Sequence, residues 1–169
     1  MAERKKTSRE GTQYLSRRWH KPSDPSAPAS PKIYITGAEL QVLIAQQLGP
    51  KLASQYTVRL GDGEYFCTPL AEAKKIIKAS RLNKKTWVRE RFDCDDFAHV
   101  LKAHFAEAAY KDGSRRAAHC FGVVWGSLPG PHAINWMVND DKKLRFIEPQ
   151  SDKVYLPKST DENIYFMLV

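Results

Sequence analysis

The sequence predicts an α+β domain, with helices dominating its first half and strands its second. Three observations lead there. Apolar residues recur at helical spacing in three stretches between residues 36 and 111, apolar runs of strand length fill the remainder, and no internal repeat divides the chain. At 169 residues with 42% hydrophobic content, one domain with its own core is expected.

The first 31 residues stand apart in composition. "ERKKTSRE" and "SRRWHKP" run into "SDPSAPASP", so residues 1–31 are predicted to form a disordered, basic, Pro/Ser-rich tail ahead of a folded domain over 32–169. Seven lysines and arginines against three acids there supply four of the net +8 charges. A nucleic-acid role is thus expected to go no further than non-specific contacts of the tail. Met1 is followed by charge and no apolar run, and no stretch approaches the roughly 18 apolar residues of a membrane span. Cys67, Cys94 and Cys120 are odd in number and lack C-x-x-C spacing, which argues against a disulfide framework and a structural zinc site. A reducing, cytoplasmic location is expected, and oligomeric state has no signature in the sequence.

Each element has a local reason. Thr36 and Glu39 have capping-box spacing ahead of Leu40, Leu43, Ile44 and Leu48, which predicts a first helix closed by Gly49-Pro50. "QYTVRL" and "EYFC" flank Gly61-Asp62-Gly63 and predict a hairpin. Thr68 and Pro69 read as N-cap and first residue of a second helix, "LAEAKKIIKAS". The third helix carries the stripe Phe97, Val100, Leu101, Phe105 and Ala108, and Asp93 with Asp96 sets its start at Cys94. Strands follow in "AAHCFGVVWG", "HAINWMV", "KLRFIEP", "KVYL" and "NIYFMLV".

Cys94 therefore falls in the first turn of a helix, where unpaired N–H groups and the positive dipole end favour a thiolate. Asp95 and Asp96 oppose that charge, so a cation is expected to balance them. A regular hairpin closed by Asn139-Asp140-Asp141 would set His132 directly across from Glu148. Glu148 shares the strand face of Leu144 and Phe146, so it is expected to be partly buried and to need a partner. Cysteine at a helix start, then histidine, then carboxylate on neighbouring strands is the order of a papain-like site: nucleophile, general base and orienting group. Each residue alone has a structural reading. A lone cysteine packs, a strand histidine is satisfied in place, Cys67 and Cys120 read as core, and Trp87 and Trp136 read equally well as core aromatics.

The motifs "W-x-x-E-x-F-D-C-D-D-F-A" (Trp87 to Ala98), "HAIN" (His132 to Asn135) and "IEPQ" (Ile147 to Gln150) carry a resemblance. Together they resemble the C-terminal papain-like domain of the Marasmius oreades agglutinin family, fungal lectins whose second domain is a calcium-dependent cysteine protease. The resemblance spans most of the chain from about Lys32 onward and implies a papain-like fold acting on protein or peptide substrates. It implies Cys94 as nucleophile, His132 as base, Glu148 as orienting member and Trp87 as a cleft residue. It also implies that Asp96 and Gln150 take part in binding calcium. By residue type alone Asp93, Asp95, Asp96, Glu148 and the Gln150 amide offer hard oxygen donors, while carboxylates at a helix start equally serve as caps, and both readings stay open. The family's sugar-binding β-trefoil has no counterpart in the sequence, so sugar recognition is not implied. Two alternatives remain: acyl transfer or amide hydrolysis by the same triad, as in transglutaminases, and an inactive basic binding module.

Overall fold

The computed structural model of the protein describes residues 31–169, so the tail expected over 1–31 lies, apart from Pro31, outside the described residues. The elements are β1 (Tyr34–Thr36), α1 (Gly37–Leu48), β2 (Leu52–Arg59), β3 (Glu64–Phe66), α2 (Leu70–Ser80) and α3 (Cys94–Lys111). Five strands complete the order: β4 (Phe121–Ser127), β5 (Pro131–Val138), β6 (Leu144–Glu148), β7 (Lys153–Tyr155) and β8 (Glu162–Leu168). The fold is α+β, its helices packed on a largely antiparallel sheet of order β2-β8-β4-β5-β6-β7. The β2–β8 pair alone in that sheet is parallel. No helix among the described residues is long and apolar enough to cross a membrane.

Alternation along the central strands serves a helical layer on each face. Leu40, Leu43, Ile44 and Leu48 of α1 join Val124, Ile134, Trp136, Phe146 and Met167 in one core cluster. Ile77 of α2 with Phe97, Leu101 and Phe105 of α3 joins Phe121, Met137 and Ile147 in the other. Gly122 is required where the layers are tightest, because a Cβ there would lie 1.9 Å from the Leu168 carbonyl oxygen and 2.5 Å from Trp136 Nε1. The absent side chain leaves the buried Trp136 indole room to donate to the Val123 and Leu168 carbonyls, each at 3.1 Å.

Helix starts follow local chemistry closely. Thr36 caps α1 and exchanges hydrogen bonds with Glu39, as the spacing predicts. Residues 67–70 depart by one position. Pro69 is the N-cap of α2, and the Thr68 hydroxyl instead pairs with His119 Nδ1 at 2.6 Å, a partner 51 residues away. The expected hairpin around Gly61-Asp62-Gly63 does not form. β2 pairs in parallel with β8 and β3 antiparallel with β1, so tertiary partners outcompete the local turn.

The β5–β6 register also differs from expectation. The hairpin closes on Val138↔Leu144, with Asn139 N–H bonded to the Lys143 carbonyl and Lys142 N–H to that of Asn139. Lys142 sits at φ 55°, in the left-handed region, and completes a loop longer than the one assumed. Pairing is displaced by two residues, which preserves every side chain's face. Glu148 therefore lies diagonal to His132 rather than directly across from it.

Candidate active site

Cys94 is the first residue of α3. Asp93 occupies the N-cap, and the Asp96 carboxylate reaches back to accept the Asp93 N–H at 3.1 Å. The other Asp93 contact runs outward, where Oδ2 accepts the Glu90 N–H at 3.1 Å. Capping explains two of the three aspartates around the thiol. The third, Asp95, lies beside Asp93, and a proton shared between the two carboxyls holds that of Asp93 below its ordinary value and pushes that of Asp95 up. Ligand atoms of Asp93, Cys94 and Asp95 all lie within 4.8 Å of one another.

His132 and Glu148 meet directly. His132 Nε2 lies 2.7 Å from Glu148 Oε2, and the other carboxylate oxygen accepts the Gln150 N–H at 3.1 Å. Both side chains are about one-fifth exposed, at 21% and 23%, so the pair is screened from water yet reachable. Engagement of Nε2 leaves Nδ1 as the ring nitrogen for proton transfer. Gln150 belongs to this assembly through its backbone.

Helix and strand are docked by a buried amide. Asn135 Nδ2 donates to the Ala98 carbonyl at 2.8 Å and to that of Gly122 at 3.0 Å. One turn further, Lys102 Nζ donates to the Phe121 carbonyl at 3.3 Å, and Phe121 faces Met137 across the β4–β5 ladder. α3 and β5 thus run the same way. Cys94, one turn before Ala98, lies toward the end of the sheet where β5 begins at Pro131 and His132. Alternation turns Asn135 and Met137 toward α3 and gives His132 the parity of Ile134, whose side chain packs with α1 on the other face of the sheet.

The remaining expected residues divide. Trp87 stands 47% exposed on the segment leading into α3, which rules out its alternative reading as a core aromatic. Asp95 is drawn to Asp93 and Cys94, while one oxygen of Asp96 is committed to the cap. Cys67, Cys120 and Trp136 are buried, as expected of core. The docking role of Asn135 was missed by the motif reading, although an amide within the apolar run "AINWMV" is itself a signal that a buried carbonyl needs a donor.

Comparison with known proteins bears on the fold and the family. Among solved structures, the PSL1a–E64 complex superposes with a TM-score of 0.72 at 31% identity, covering 80% of this chain and 50% of that one. Polyporus squamosus lectin, bound to the human-type influenza-binding epitope Neu5Acα2-6Galβ1-4GlcNAc, gives 0.67 at 30% identity, covering 80% and 49%. The chain spans about half the length of these relatives. No curated protein matches the chain. The family model described as agglutinin C-terminal matches residues 65–154, a span that takes in Cys94, His132 and Glu148 and more than half of the sequence, and the chain belongs to that family.

Proposed function

We propose that this protein is a papain-like cysteine peptidase with Cys94 as nucleophile, His132 as general base and Glu148 as the group that orients the imidazole. The observation that carries the reading is the 2.7 Å contact of His132 Nε2 with Glu148 Oε2, in a carboxylate itself fixed by the Gln150 N–H. A solvent-exposed structural pair has no need of that second anchor, whereas a base that must present Nδ1 in one orientation does. The helix start supplies the rest. Its unpaired N–H groups favour an anion at Cys94, and the Cys94 N–H is a donor for an oxyanion formed beside the sulfur.

The proposed reaction uses each residue in turn. His132 Nδ1 takes the thiol proton, the sulfur attacks the peptide carbonyl carbon, and collapse of the tetrahedral adduct expels the amine, which leaves with that proton. Water, deprotonated by the same nitrogen, then attacks the thioester carbonyl, releasing the acid and returning the proton to sulfur. Glu148 holds the ring through both halves.

Calcium fits the donors at the helix start. The carboxylates of Asp93 and Asp95, whose oxygens lie within 4.8 Å of each other, are hard donors whose charge a divalent cation can neutralise, whereas the Cys94 sulfur is a poor calcium ligand. Asp95, the uncommitted oxygen of Asp96 and the Gln150 amide oxygen are the proposed ligands, with Asp93 beside them. Bound there, calcium would offset the negative charge crowding the thiol.

The test is covalent labelling of the full chain with E64 and with iodoacetamide at neutral pH, with calcium or chelator, read residue by residue by mass spectrometry. Burial raises the thiol pKa of both Cys67 and Cys120, which makes them internal controls. Cys94 is expected to react at least about tenfold faster than either, and faster with calcium. Equal rates at the three sites would overturn the assignment of the nucleophile. A labelled amine added with a protein substrate separates hydrolysis from acyl transfer, because incorporation without new peptide termini excludes a simple peptidase.

A further inference from the structure

A pocket of about 480 Å³ opens where the end of α2 meets the β6–β7 turn, and its wall is unusually basic. Lys74 and Lys78 contribute from successive turns of α2, Arg81 from its C-cap and Lys84 from the short 3-10 turn that follows. Ile77 supplies apolar wall, and Asp152 is the one carboxylate. Lysine in the last turn of a helix offsets the dipole, which accounts for Lys78. Lys74 lies a turn too early for that role, and Lys84 lies beyond the helix.

These cations are left without stable partners. Among the described residues none of the four forms an ion pair, whereas Lys111, Arg116 and Arg145 elsewhere pair with Glu107, Glu64 and Asp141. Asp152 does not neutralise the pocket. Its Oδ1 is buried without a hydrogen-bond partner, and burial raises its carboxyl pKa against the pull of Lys84 and Lys78. Gathering four positive charges around one poorly paired carboxylate raises the local potential. A second anion entering the pocket relieves it.

The pocket shares the β6–β7 turn with the residue proposed to orient the base. Asp152 ends the four-residue turn that begins after Glu148, and that turn is tight enough for Glu148 to face Lys153 and for Ser151 N–H to bond to the Glu148 carbonyl. Beneath, Ile77 packs in one cluster with Ile147, the neighbour of Glu148, and with Phe97 in the first turn of α3. We propose that this pocket is a substrate subsite, in which Lys74, Lys78 and Lys84 hold the carboxylate of an acidic side chain while its methylenes lie against Ile77. The inference rests on the peptidase reading for the identity of the occupant. A concave pocket with an apolar wall suits a side chain with a stem and a charged head, whereas a phosphodiester backbone follows an extended charged stripe.

The experiment uses the full chain carrying Cys94→Ala, so that bound peptide stays intact. Fluorescence anisotropy compares a labelled glutamate-rich peptide with its glutamine counterpart. Binding is measured with the pocket pair Lys74→Glu/Lys78→Glu and with the control pair Lys75→Glu/Lys143→Glu, which changes net charge equally at exposed positions away from the pocket. The pocket pair is expected to weaken the glutamate peptide at least about tenfold and the control pair less than about threefold, with a salt dependence that the glutamine peptide lacks. Asp152→Asn, which removes the competing carboxylate, is expected to tighten binding severalfold, the opposite of its effect at a cation site. Equal losses from both pairs, equal binding of the glutamine peptide, or duplex DNA displacing the peptide at matched charge overturns the subsite. Labelling of Cys94 in the unsubstituted chain separates the two readings: charge-dependent peptide binding with an inert Cys94 leaves the anion pocket and sinks the peptidase, and a reactive Cys94 without such binding does the reverse.

Discussion

Two histidines of this chain meet opposite environments, and the contrast separates chemistry from architecture. His132, at the start of β5, is one-fifth exposed, and its ring is held by a carboxylate. His119, just before β4, is 4% exposed, hydrogen-bonded to the Thr68 hydroxyl and covered by Arg115. Arg115 is in turn held by Glu72 and Asp112 and stacks over Phe66 at 4.5 Å. Burial, with the Arg115 charge second, presses the His119 pKa down to about 4, so this imidazole stays neutral at pH 7 and cements α2, α3 and β3 together. The base proposed at His132 needs a ring that is held yet reachable; a ring kept neutral by burial needs the second environment.

Exchanging the same substitution between the two sites is the strongest way to break that contrast. His132→Gln should cut peptide turnover by about a thousandfold or more while leaving the thermal midpoint nearly unchanged. His119→Gln should do the reverse, keeping turnover within about threefold and costing about 1–3 kcal/mol of stability. Turnover lost in His119→Gln at unchanged stability would show that the partition is wrong. Glu148→Ala comes next. It should lower turnover by about 10²- to 10⁴-fold with a smaller effect on substrate affinity, and a loss confined to affinity would remove Glu148 from the orienting role.

The pH dependence of folding sharpens the comparison from the other side. An unfolded chain protonates His119 near its ordinary value of about 6.5, whereas the folded chain resists until about pH 4. The unfolded state therefore binds the extra proton between those values. Stability is complete above about 6.5 and declines as pH falls toward 4, by at most about 3 kcal/mol from this residue. Urea midpoints across that window should fall more steeply for the unsubstituted chain than for His119→Gln, and parallel slopes would contradict a buried neutral His119.

What the sequence made legible follows the range of the interactions involved. The start of α3 at Cys94 was readable because Asp93 and Asp96 act within one turn. The meeting of His132 and Glu148 was readable although the register differs by two, because a shift of two keeps both side chains on one face. The hairpin expected between β2 and β3 failed because its strands find partners far away in sequence. Thr68 reads locally as a cap, and only the fold reveals that its hydroxyl belongs to His119. The basic pocket had no linear signature, since Lys74 and Asp152 are brought together by packing alone.

The parallel β2–β8 pair has a consequence for how the chain folds. β4 to β7 form a run of sequence-adjacent antiparallel pairs, whereas β8 must find β2 across 112 residues, as in Leu52↔Ile164, while also pairing with β4. Closing so large a loop is entropically costly before any contact rewards it, so the meander is expected to assemble first and β8 to dock as the slow step. Until then β2 has no strand beside it and one edge of β4 is bare. Refolding should pass through a phase in which those edges are open to strands of other molecules, and its yield should fall as protein concentration rises.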